Sequence, residues 1–451
     1  MKKLLLVNPS KKERSGFLLS QFTRLPPLGL AYVAAATPEN WEIKIIDENV
    51  TPLEFESADL VGISAFTANI NRGYSIASGF RQRGAKVVMG GVHVSMLPEE
   101  ALNHADSVVV GEAEGIWRKV IKDFEAGRMA KKYLGPRIDL NTQSLTPRWD
   151  LLSRDYLMQP VLTARGCPFN CSFCAVTRFF GAHYRQRTVE DVLSELEKIA
   201  GKYIGFVDDN LVGYGPENQK RAAGIFRGMI DRGMKKNWFM QTSVNAAEDE
   251  ELIELAGRSG CLFAFIGFET IKPETLQSLK KRSNLKLGVK NYLKAIDIFH
   301  RAGIAVMGSF MIGNDGDDPD YCRRLLDFIL ESGVDVVQLS ILTPLPGTPL
   351  MEKIVNEGRL VCNNFPDDWE KFRMSWVTFR PIGMNADLIY RGLNFIKKNL
   401  YDPPRFQQRM LRSFTNLKGG TSYKFVEGLN KALEETWRNA HYYDPDPEWS
   451  Y

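Results

Sequence analysis

Short apolar, β-branched runs alternate with amphipathic stretches along most of this chain, and that alternation narrows the fold more than any other feature. In the first 130 residues the runs cover 4–7, 43–46, 60–64, 86–89 and 107–110. Between two of them, Ile70, Tyr74, Ala77 and Phe80 recur on one face of a helix expected over 70–83. Strands spaced by helices build βαβ units, so this region predicts a Rossmann-like parallel sheet covered on both faces. Ligands of such sheets sit at the carboxyl ends of the strands. Those ends read Asn8-Pro9, Asp47-Glu48-Asn49, Ser64-Ala65-Phe66-Thr67, Gly90-Gly91-Val92-His93 and Gly111-Glu112-Ala113-Glu114. No G-x-G-x-x-G follows the first run, which argues against NAD or FAD. The bare backbone of Gly90-Gly91 would instead admit a large planar or tailed ligand.

A second series begins at residue 161. Strands are expected over 161–164, 203–207, 238–242, 262–267, 306–311 and 336–341, each followed by a helical stretch. Six β/α units fall short of the eight that close a barrel, so an open partial (β/α)6 barrel is predicted. Residues 131–158, with Pro136 and Pro147, read as a linker between the two α/β units. The organisation expected is thus 1–130, a linker 131–158, a barrel 159–349 and a mainly helical C-terminal region 350–451. Trp369, Phe372, Trp376 and Phe379 are read there chiefly as packing residues, with a lid over the substrate as the alternative. Tyr442, Tyr443, Trp449 and Tyr451 fall in an expected loose tail.

The densest chemistry lies just after the first barrel strand, in T-A-R-G-C-P-F-N-C-S-F-C-A-V-T from Thr163 to Thr177. Cys167, Cys171 and Cys174 form a C-x3-C-x2-C array that can hold three irons of a [4Fe–4S] cube, leaving the fourth iron open. A structural zinc site needs a fourth ligand, and the nearest, His183, lies nine residues on, past Phe179 and Phe180. Three cysteines also cannot close a disulfide set. Zinc and an inert cysteine group remain the competing readings. Cys261, Cys322 and Cys362 stand singly, and Cys261 is expected in the core.

Composition sets limits rather than a function. At 451 residues the chain exceeds one ordinary core, and its 44% hydrophobic and 25% charged residues are ordinary globular usage. A net charge of +4 with interleaved signs does not indicate nucleic acid. The densest basic run, Lys280-Lys281-Arg282, reads as a solvated helix end. No apolar stretch is long enough to span a bilayer, and the apolar run at the N-terminus is stopped by Asn8-Pro9. Six cysteines, half of them in one array, fit a reducing cytoplasm.

The cysteine array, with Phe173 before its last cysteine, resembles the signature of the radical-SAM superfamily. P-P-L-G-L (26–30, with Leu28), G-I-S-A-F-T (62–67), G-G-V-H-V (90–94) and V-V-V-G-E-A-E (108–114) resemble the cobalamin-binding domain that precedes the barrel in one subfamily. The resemblance implies a cobalamin-dependent methyltransferase of the hopanoid-methylase branch, using a [4Fe–4S] cluster, S-adenosylmethionine (SAM) and cobalamin. It assigns the cluster to Cys167, Cys171 and Cys174, and SAM to Phe173, Asp208, Asp209, Asn210, Gln241, Ser243, Glu269, Met311 and Leu345. Cobalamin falls to Leu28, Ser64, Phe66, Thr67, Gly90, Gly91, His93, Gly111 and Glu112. The D-x-H-x-x-G motif that supplies a histidine to cobalt is missing, so Phe66 or Thr67 is expected to cover the lower face. Implied partners are a small-molecule, lipid or peptide substrate and a low-potential electron donor such as flavodoxin or ferredoxin. Ring formation or rearrangement with the same cofactors competes with methylation, and a non-catalytic corrinoid or iron–sulfur sensor is the reading from another class.

Overall fold

The computed structural model describes residues 1–10, 25–142 and 145–439, so the aromatic tail beyond 439 lies outside the described residues. Strands β1 (Lys2–Asn8), β2 (Trp41–Asp47), β3 (Leu60–Ser64), β4 (Lys86–Gly90), β5 (Ser107–Gly111) and β6 (Lys132–Gly135) form the first sheet. All neighbours run parallel, in the order β2-β1-β3-β4-β5-β6. Its apolar runs are continuous because both faces are covered. Leu5 and Val7 of β1 pack with Ile70, Tyr74 and Ala77 of the helix Ile70–Gln82. Leu4 and Leu6, pointing the other way, pack with Leu30 and Val33 of Leu28–Ala36 and Val120 and Ile121 of Trp117–Glu125. Burying one such leucine contributes about 1.5–3 kcal/mol.

The sixth strand lies inside the stretch read as a linker. Within it only Tyr133 is buried, its hydroxyl donating to Asp123 at 3.0 Å, so a four-residue edge strand left almost no periodic signal.

The second sheet contains β7 (Gln159–Val161), β10 (Tyr203–Phe206), β11 (Asn237–Thr242), β12 (Cys261–Glu269), β13 (Ala305–Ile312) and β14 (Val336–Ile341). It is fully parallel in the order β14-β13-β12-β11-β10-β7. β7 and β14 are its two edges, so the barrel is open. A short antiparallel pair, β8 (Ala164–Arg165) with β9 (Arg185–Gln186), brackets the cysteine loop. The helix Val189–Lys198 is capped by Thr188, whose side chain accepts from the Asp191 backbone N–H.

Alternation along the barrel strands separates two environments. One set, including Trp238, Met240, Ala264, Ile266 and Val306, meets the outer helices. The opposite set starts apolar, with Phe239, Phe263, Ala305, Met307 and Val336, and is capped by Met410, Phe425, Val426 and Leu429. These last come from the helices Pro403–Asn416 and Thr421–Asn439, which fill the floor of the barrel. Further along the same face stand polar residues: Gln241 two positions beyond Phe239, Ser309 beyond Met307 and Gln338 beyond Val336. The interior is therefore greasy at the floor and polar at the carboxyl ends.

Residues 360–380 form a strap between the two sheets. Trp369 and Phe372 are buried in the first domain's core, while the Met374 carbonyl accepts from the Ile341 N–H at the end of β14. The aromatic positions 369 and 372 are thus packing residues.

Candidate active site

The cysteine loop leaves β8 at Gly166, whose φ of +92° suits glycine, and an added Cβ would collide with the His183 carbonyl. Cys167 N–H donates to the Gly181 carbonyl at 3.2 Å, and Thr177 Oγ1 donates to the Cys167 carbonyl at 3.0 Å. The middle of the loop is held from both sides. Ser172 N–H donates to the Leu279 carbonyl at 3.0 Å, and the Leu350 N–H donates to the Ser172 carbonyl at 2.9 Å. Phe173 leans on an apolar group with Leu279, Met311, Leu342 and Leu350.

Burial pushes the thiols of Cys167 and Cys174 up to about 11 and raises Cys171 as well. The thiols also oppose one another's ionisation, while the Lys281 ammonium favours it at all three. Such a group gives up its protons to a metal, because a coordinating thiol is deprotonated outright. No three Cys, His, Asp or Glu among the described residues converge closely enough for one metal ion. A cube asks for no such convergence, since each cysteine binds its own corner. The residues present fit a cluster.

At the carboxyl ends of the next strands the SAM-assigned residues divide into two groups. Asp209 is exposed just past the carboxyl end of β10, and desolvation by the surrounding protein, followed by its neighbour Asp208, pushes its carboxyl up to about 7. Gln241 is half-buried on the inner face. Glu269 has a backbone φ of +65° at a bulge against β13, held by Asn284 Nδ2 donating to the Gly267 and Phe268 carbonyls, each at 3.0 Å. A non-glycine residue in that region is strained, and such strain gathers at functional sites.

The others are committed to the protein itself. Asp208 is fully buried and accepts from Thr163 N–H at 3.0 Å and Thr163 Oγ1 at 2.8 Å, tying β10 to the root of the cysteine loop. Asn210 donates to Ser243 Oγ at 2.9 Å and accepts from Thr242 Oγ1 at 3.2 Å, while Ser243 Oγ donates to Asn245. Met311 packs beneath Phe173, and Leu345 packs on the first domain's core. Asp208, Asn210 and Ser243 thus have internal hydrogen-bond partners, and Leu345 has internal packing.

The first sheet presents a similar division. Phe66, just past β3, is 65% exposed. An added Cβ on Gly90 would lie no closer than 3.6 Å to any protein atom, so no neighbour forces a glycine there. Gly91 and Gly111 are explained internally. Both have positive φ, and an added Cβ would come within 2.9 Å of the Ala65 backbone in one case and 2.8 Å of the Gly135 carbonyl in the other. Ser64 stands half-buried beside Gly91, and Leu28 is buried at the start of its helix. A bare strand end beside an open aromatic ring fits a corrin.

His93 and Glu112 are both engaged with other protein groups. His93 is fully buried, with Nδ1 3.2 Å from Thr67 Oγ1, Nε2 3.3 Å from Glu100, and Trp369 edge-on to its ring. Thr67 is buried beside it. Glu112 reaches out of its own domain. It accepts from Arg165 Nη1 at 2.8 Å, from Arg185 through both oxygens, and from Ile138 N–H at 3.3 Å. Arg165 Nη2 also meets Glu114 at 2.5 Å. These buried pairs fasten the root of the cysteine loop to the carboxyl end of β5.

Sequence reasoning missed three participants. Ser95 accepts from the Gly111 N–H at 2.9 Å and donates to the Gly91 carbonyl at 2.8 Å, joining two strand ends. Arg165 sits inside the quoted motif, yet only the fold brings its partner from 53 residues away. Lys281 is not solvated: it is mostly buried, with Nζ 2.6 Å from Glu269 and 6.0 Å from the Phe173 ring centre. A turn signal before it, Lys280 with φ +54°, is invisible in a run of like charges.

Comparison with known proteins agrees with this architecture. The model of the Radical SAM superfamily matches residues 161–329, and that of the B12 binding domain matches residues 17–121. The chain is 30% identical over 424 residues to the bacteriochlorophyllide d C-12(1)-methyltransferase of Chlorobaculum tepidum, covering 91% of this chain and 89% of that protein. It is 27% identical to the hopanoid C-2 methylase of Rhodopseudomonas palustris, covering 75% of this chain and 66% of the relative. Its fold matches the radical S-adenosylmethionine methyltransferase TsrM of Kitasatospora setae, solved with cobalamin and a [4Fe–4S] cluster. The TM-score is 0.73 at 18% identity, over 98% of this chain and 100% of the other. With a cobalamin-type sheet, a radical-SAM partial barrel and a relative aligned over nearly its whole length, the chain belongs to the cobalamin-dependent radical-SAM methyltransferases, whose cofactors are a [4Fe–4S] cluster, SAM and cobalamin.

Proposed function

We propose that Cys167, Cys171 and Cys174 each bind one iron, that SAM lies over Asp209, Gln241 and Glu269, and that the corrin rests on Phe66 and Gly90. The substrate we infer is a flat, largely apolar polycyclic molecule offering an unactivated carbon. The relatives' bacteriochlorophyllide and hopanoid both have that shape. When bound, the cofactors supply an electron, a 5′-deoxyadenosyl radical and a transferable methyl group. The protein's own work is orientation. Asp209 offers acceptors to the amino end of SAM, Glu269 to its hydroxyls, and Phe66 a flat apolar seat. No general base is needed, and a buried His–carboxylate pair of the barrel, His300 with Asp335, sits at the floor.

The single observation that carries this reading is the Arg165–Glu112 pair, which holds the cysteine loop against the carboxyl end of the first sheet. Both candidate cofactor edges then open on one space, as a transfer between them demands. We also place the protein in the cytoplasm, reduced by a flavodoxin or ferredoxin. No helix among the described residues is long and apolar enough to cross a membrane.

The test is anoxic reconstitution with cobalamin, SAM and a low-potential reductant, offered bacteriochlorophyllide and hopanoid extracts. Methylation yields S-adenosylhomocysteine and 5′-deoxyadenosine together, with one methyl gained by the substrate. Deoxyadenosine alone would turn the assignment to a rearrangement. The C174A protein should form no deoxyadenosine.

A further inference from the structure

Lys281 has a charge, a position and no use in the chemistry above. Its ammonium is mostly buried, and a buried cation is retained only beside something that compensates it. Glu269 does so in part, at 2.6 Å. Gly267 makes room for the pair, since a Cβ there would collide with Glu269 and stand 3.0 Å from Lys281 Nζ. The other side of the ammonium looks at the cysteine loop. It lies 6.0 Å from the ring of Phe173, the residue before Cys174. The turn that carries it is bonded to the same loop, through the Leu279 carbonyl and the Ser172 N–H at 3.0 Å. The ammonium and the turn that carries it thus both abut the cysteine loop.

We propose that Lys281 is an electrostatic positioning residue for the iron–sulfur site, a fixed positive charge that eases the arrival of one electron from the low-potential donor. Net charge and nearby dipoles set the potential of such clusters, and a cation nearby favours the reduced, more negative form. One electron enters and no proton moves. This inference rests on the three-cysteine assignment, and its test keeps the two apart.

The experiment is spectroelectrochemical titration of the reconstituted cluster without SAM, followed by electron paramagnetic resonance, with iron and sulfide measured for each protein. At the wild-type midpoint, the K281M protein should show a reduced-to-oxidised ratio about tenfold lower, which for one electron is about 59 mV. The K281R protein should stay within about threefold of wild type, since it keeps the charge. An unchanged midpoint in K281M overturns the inference and leaves the cysteine assignment standing. A wild-type protein that takes up no iron or sulfide overturns the cysteine assignment itself. Should K281M fail to hold the cluster, E269Q decides from the other side. With its counter-charge gone, Lys281 must raise the midpoint, and a midpoint at or below wild type sinks the proposal.

Discussion

Glu112 pairs with two arginines of the other domain. Removing one partner of a buried ion pair costs about 3–5 kcal/mol, because the charge left behind has no water. The E112Q protein should therefore unfold at lower denaturant concentration by about that amount, read from chemical denaturation followed by circular dichroism. Glu100 makes a prediction with a pH sign. Burial alone would raise it, but hydrogen bonds from His93, Trp369 and Tyr74 outweigh that and hold its carboxyl below the ordinary glutamate value. A carboxyl lowered by folding stabilises the native state above its unfolded pKa, and that contribution is lost as the pH falls through the native value. Wild type should lose stability between about pH 5 and 3 more steeply than E100Q, measured by thermal unfolding across that range. Neither residue announces its role in sequence. The motif V-V-V-G-E-A-E marks Glu112, but its partners come from 53 and 73 residues further on.

Among the elements, the strap over 360–380 joins the first domain's core to the end of β14. Trp369 anchors it, 3% exposed, stacked on Phe365 and donating to both oxygens of Glu100 at 3.1 and 2.9 Å. Truncating a buried tryptophan costs about 3–5 kcal/mol. The W369A protein should release the strap locally, so limited proteolysis should cut within 360–380 before the barrel. Strand existence was easy to read for the long, two-face-covered strands, and the boundaries of β3 and β14 were met to the residue. Edge strands escaped. β6 has one buried side chain, and β8 and β9 have two residues each, too few for any period to show. The cysteine loop was legible because its chemistry is local. The glycines were legible as glycines, but which of them make room for a ligand and which merely let two backbones pass required the packing around Gly90, Gly91 and Gly111.

At the scale of the molecule, the two C-terminal helices decide what the barrel interior can be. Their Met410, Phe425, Val426 and Leu429 cover Phe239, Phe263 and Met307, which no outer helix reaches. A chain ending before residue 403 should expose that face, bind a hydrophobic dye strongly and aggregate, while the first sheet keeps its own core. Composition predicted helices there without saying where they dock, since an amphipathic pattern names a face and not its partner. The charged fastening between the domains has a consequence for the response to salt. Because its ion pairs are buried, ordinary salt screens them little. A change of ionic strength should therefore leave the two domains fastened, a join that added salt does not loosen.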